Sequence, residues 1–82
     1  MKTTTKSIFN PKYKRLIDDM VDARKKKGWS QRELAKQAGV SHCFIGRMET
    51  RERRLDVIEA VEIMKLLGLS RSMILKKVSE LL

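Results

Sequence analysis

Between Ser30 and Thr50 the chain has room for only two very short helices, joined by a turn that leaves little choice of geometry. Ser30, with Glu33 three residues later, has the spacing of a capping box and opens the first of them. Leu34, Ala35 and Ala38 form its apolar side, and Gly39 stops it at a place that suits a residue at ease with positive φ. Ser41 then caps a second short helix, expected over about His42 to Thr50. Two helices that cross steeply over so tight a turn need a small residue where their axes approach, and Ala35 provides it. They also need apolar contacts to hold them together, and Leu34, Ala38, Val40, Ile45 and Met48 are placed to supply these.

The rest of the chain reads as helix in the same way. Residues Met1 to Phe9 are polar and basic and read as a flexible N-terminal arm, leaving residues 10–82 as one domain. Asn10-Pro11 marks a helix start, N-cap followed by proline at the first helical position. Tyr13, Leu16, Ile17, Met20, Val21 and Arg24 follow on one helical face, and Gly28 ends it. After a loop containing Arg51, Glu52, Arg53 and Arg54, Asp56 and Glu59 form a second capping-box pattern. The buried stripe behind it is expected to be Ile58, Val61 and Met64, with Leu67 or Ile63. Gly68 ends that helix and Ser70 caps a last one, whose apolar positions are Ile74, Val78 and Leu81, with Leu75 and Leu82 as further candidates. Trp29 and Phe44 read as core residues. The expectation is an all-α domain of five helices, with no strand and no internal repeat.

Charge narrows the function classes. Nineteen Lys and Arg against ten Asp and Glu give a net +9, a field that attracts polyanions. The run Lys25, Lys26 and Lys27 reads as a solvated helix end, favoured by the helix dipole, and not as the binding patch. A single cysteine allows no internal disulfide, and with a single histidine it makes no zinc site, so neither a metal nor a cofactor is expected. His42 and Cys43 are adjacent and point about 100° apart on a helix, which argues against a catalytic pair and against an enzyme. No long apolar run suggests a membrane span, and the expected location is the cytoplasm.

The ordered set Trp29-Ser30-Gln31-Arg32-Glu33-Leu34-Ala35, Gly39-Val40-Ser41, then Ile45, Arg47 and Glu49, resembles the helix-turn-helix of the Cro/CI repressor, or XRE, superfamily. Downstream, Glu52 to Glu59 and Leu66-Leu67-Gly68-Leu69 resemble the fourth helix of small bacterial and phage members, so the resemblance covers about residues 13–70. It implies a lambda-repressor-like fold with the helix-turn-helix at about 31–50, and a sequence-specific DNA-binding regulator, most simply a repressor that binds a near-palindromic operator as a homodimer. It also implies roles for particular residues. Gln31 matches the family glutamine that binds a phosphate and buttresses the start of the recognition helix, and Arg24 and Glu49 match positions that the family joins by a structural ion pair. The chain departs from the pattern at His42, where Gln is commonest, and at Cys43 and Gly46, where small polar residues are usual. It departs again at Thr50-Arg51, which replaces an Asn-Gly or Arg-Gly turn.

Helical geometry separates the faces of the recognition helix. At about 100° per residue, His42, Cys43, Gly46 and Arg47 fall within one arc of about 140°, opposite Ile45 and Met48. This arc is free to enter a major groove, which makes those four residues the expected base contacts, Arg47 through its bidentate fork to guanine. Gly46 costs roughly 0.5–1 kcal/mol against alanine in mid-helix. Ser41, Arg51, Arg53 and Arg54, with Gln31, are the expected phosphate contacts, which hold register without reading sequence. The alternative from another class is an antitoxin-type interaction module that binds a toxin partner and also its own operator. RNA is a weaker option, because no aromatic stacking platform is visible.

Overall fold

The structure, a computed structural model, describes residues 10–82; the expected arm over residues 1–9 lies outside the described residues. Five helices follow one another: α1 (Pro11–Lys26), α2 (Gln31–Ala38), α3 (His42–Glu49), α4 (Val57–Leu66) and α5 (Arg71–Ser79). Among the described residues there is no strand.

Each helix begins on a capping side chain, and the caps set the phase of the apolar faces. Asn10 Oδ1 accepts from the Lys12 N–H at 2.7 Å, and Pro11 follows where no N–H is needed. Ser30, Ser41 and Ser70 cap α2, α3 and α5 through their hydroxyls. At α2 the box is only half made, because the Glu33 carboxylate accepts instead from Gln37 Nε2 at 2.8 Å. The complete box is at α4, where Asp56 accepts from the Glu59 N–H and the Glu59 carboxylate accepts from the Asp56 N–H. Gly39 closes α2 with φ +71, a left-handed conformation that a Cβ would penalise.

The core lies where α1 crosses the α2–α3 pair and α4 closes the other side. Ile17 and Met20 from α1, Leu34 from α2, Ile45 and Met48 from α3 and Met64 from α4 are its fully buried side chains. Burying each removes enough apolar surface to contribute about 1.5–3 kcal/mol. On α4 the buried line is Ala60, Ile63, Met64 and Leu67, with Val61 half-buried. Ile58, expected in this stripe, is instead 67% exposed. With Asp56 as N-cap, Ile58 falls in the first turn on the outer side, while Leu55 and Ala60, the N′ and N4 positions of a hydrophobic staple, turn inward. On α5 only Ile74 is buried; Leu75 and Leu82 are exposed. Lys77 on α5 reaches Asp19 on α1 at 2.9 Å and fastens the last helix to the first. Trp29 and Phe44 are half-buried at the edge of the core, each with a cation over its ring: Lys27 Nζ lies 4.7 Å and the Arg53 guanidinium 4.4 Å from the centroid.

Candidate nucleic-acid interface

The angle between α2 and α3 is fixed at one buried junction. The Glu49 carboxylate, at the end of α3, accepts from Arg24 Nε at 2.7 Å and from Arg24 Nη2 at 3.1 Å. Arg24 Nη1 donates to the Trp29 carbonyl in the α1–α2 turn at 2.7 Å, and Gln31 Nε2, at the start of α2, donates to Glu49 Oε1 at 2.8 Å. The Arg24 and Glu49 side chains are only 9% and 7% exposed, so the pair is bidentate and almost dry. The Glu49 carboxylate thus ties the end of α3 to α1 and to the first residue of α2, and Arg24 extends the junction to the turn between α1 and α2.

Held in this way, α3 turns Ile45 and Met48 into the core, while His42, Cys43 and Arg47 are exposed and Gly46 is partly so. The Arg47 guanidinium has no hydrogen bond or ion pair among the described residues and extends into solvent. Gln31 does not reach His42; its amide is engaged by Glu49, with Oε1 facing Gly46. Its second amide N–H stays available as a donor. Ser41 accepts the Phe44 N–H at 3.1 Å and keeps its own hydroxyl proton free to donate.

Beyond α3 the loop cations differ in their freedom. Arg51 has φ +66, and its guanidinium has no partner among the described residues. Arg53 is committed internally: it stacks on Phe44, donates to the Arg54 carbonyl at 3.1 Å and pairs with Glu59 at 3.2 Å. Arg54 is exposed. The loop itself is pinned from beneath, because the Tyr13 hydroxyl of α1 accepts from the buried Leu55 N–H at 3.0 Å. Reading the sequence did not single out Tyr13 for this role, and no local signal links it to a residue 42 positions away. It also passed over Arg32 and Lys36, exposed cations on α2 whose four-residue spacing puts them on one helical face.

A small-residue crossing between two short capped helices, with the second presenting a polar arc and with Arg47 and Arg51 unpaired among the described residues, is the geometry of a helix-turn-helix. A family model described as Helix-turn-helix matches residues 21–74, from the second half of α1 into α5. The chain belongs to this helix-turn-helix family. No curated protein and no solved structure gives a significant match. The family is that of XRE or Cro/CI-like DNA-binding regulators, and the five-helix arrangement is the lambda-repressor-like fold. This helix-turn-helix protein is therefore a DNA-binding transcription regulator. Among its described residues no group of acidic, histidine or cysteine side chains is placed to hold a metal, and no helix is long and apolar enough to cross a membrane.

Proposed function

We propose that the protein is a sequence-specific repressor that binds a near-palindromic operator in the cytoplasm as a homodimer. The observation that carries this reading is the division of α3: Ile45 and Met48 are fully buried, and on the arc bearing His42, Cys43, Gly46 and Arg47 no side chain has a hydrogen-bond or ion-pair partner among the described residues. Arg47 presents a bidentate fork suited to guanine O6 and N7, and His42 and Cys43 meet neighbouring base edges. Gln31, Ser41, Arg51 and Arg54 contact phosphates on either side of the groove and set the register of α3. Arg53 contributes less, since Phe44 and Glu59 already hold it. A two-fold dimer would place its two α3 helices about 34 Å apart, one turn of the duplex, and occupancy of both half-sites excludes polymerase. The second copy is proposed to meet α5 and the groove between α4 and α5, where Val57 and Leu75 are exposed beside Val61, Ile74 and Val78. Selection from a random duplex pool tests the whole reading. Recovery of a two-fold symmetric sequence with half-sites about one turn apart is expected, and a pool that stays unenriched refutes it.

A further inference from the structure

Four of the five helices end in one backbone motif, and one of the four breaks its residue rule. After α1, α2 and α4 the chain reverses through Gly28, Gly39 and Gly68, at φ +77, +71 and +87. After α3 the same hydrogen bonds are made, from the Glu52 N–H to the Arg47 carbonyl at 2.8 Å and from the Arg51 N–H to the Met48 carbonyl at 3.0 Å. Here the left-handed residue is Arg51, the one non-glycine with positive φ among the described residues. One residue before the other end of the motif, which begins at Arg47, stands Gly46, within α3, where a side chain would favour the helix. Nothing among the described residues requires glycine there: a Cβ on residue 46 would meet only Gln31 Oε1, at 4.0 Å, an ordinary contact. No polar partner among the described residues rewards arginine at 51 either, since its guanidinium has no hydrogen bond or ion pair there.

Resting on the DNA-binding reading above, we infer that α3 carries two residues kept for DNA despite a cost to the free protein. Gly46 lets the helix backbone lie directly against the base edges, which makes it a determinant of specificity. Arg51 delivers a cation to a backbone phosphate from a turn position suited to glycine. Local rules broken without an internal gain are expected where function compensates for them.

The test uses the full chain and the variants Gly46→Ala and Arg51→Gly. Each is expected to lower the unfolding equilibrium constant about two- to fivefold, the size of a glycine–alanine exchange in a helix or a relieved left-handed residue. Each is also expected to bind the selected duplex about tenfold or more weakly. The loss in Gly46→Ala is confined to the selected duplex. Arg51→Gly loses affinity on any duplex, with a salt slope shallower by about 0.9 per protomer, one phosphate contact. Variants that bind the selected duplex as the wild type does, or that are no more stable than it, overturn the inference while the DNA-binding reading stands. A wild type that prefers no duplex overturns both.

Discussion

Removing one partner from the buried Arg24–Glu49 junction should be as costly as emptying a site in the apolar core. Glu49→Ala deletes acceptors at 2.7, 3.1 and 2.8 Å and leaves the Arg24 guanidinium, at 9% side-chain exposure, with only the Trp29 carbonyl. Arg24→Ala leaves the Glu49 carboxylate, at 7% exposure, with only Gln31. An uncompensated charge in such a site costs about 3–5 kcal/mol. At roughly 0.05–0.15 kcal/mol per residue, a chain of this length has about 4–12 kcal/mol in total. Either variant therefore loses a quarter of its stability at the least and, toward the lower end of that range, does not fold. The paired change Arg24→Met with Glu49→Leu removes both charges and refills the volume, and should recover most of the loss. Urea unfolding followed by far-UV circular dichroism reads all three. Single variants within about 0.5 kcal/mol of the wild type would show that water already screens the pair. A double variant as unstable as the two singles added together would show that no coupling exists.

Tyr13→Phe leaves the buried Leu55 N–H without its acceptor and should destabilise by about 1–3 kcal/mol in the same urea assay; an unchanged midpoint would mean that the loop finds another acceptor. Leu75, 61% exposed, should be replaceable by Glu within about 0.5 kcal/mol of monomer stability, yet the variant should sediment as a monomer at concentrations where the wild type is a dimer. Equal sedimentation of the two, whether both dimeric or both monomeric, removes α5 from the interface. If about five phosphates per protomer are neutralised, the affinity of the dimer for its duplex should fall with salt at a log–log slope near −9. A slope shallower than about −3 would count against DNA as the main partner.

The helices themselves were legible because their ends are punctuated. Asn10-Pro11, Ser30, Ser41, Asp56 and Ser70 are each observed as N-caps, and Gly28, Gly39 and Gly68 each reverse the chain. The face of α4 was not, because Val57, Ile58, Ala60, Val61, Ile63, Met64, Leu66 and Leu67 put apolar side chains almost all round it. Periodicity then cannot choose a side, and the buried line is decided by the cap at Asp56 and by what Leu55 packs into. Within the site, the arc of α3 followed from its 3.6-residue period, since inward and outward residues alternate in a fixed order. Long-range ties did not: Tyr13 to Leu55 and Lys77 to Asp19 are 42 and 58 residues apart, with no pattern to connect them. The internal engagement of Arg53 was equally hidden, because a loop arginine looks the same in sequence whether it meets Phe44 or a phosphate.

If α3 reads base sequence, the loss of Arg47 must be felt on one sequence and not on another. Its exposed guanidinium has no partner among the described residues, so Arg47→Ala should leave the fold intact. Affinity should be measured on the selected duplex and on a scrambled duplex of equal length, at one fixed salt concentration. Only the correct base rewards the fork, so the variant should lose about 1–3 kcal/mol on the selected duplex and much less on the scrambled one. An equal loss on both would make Arg47 a phosphate contact and contradict sequence readout by this arginine.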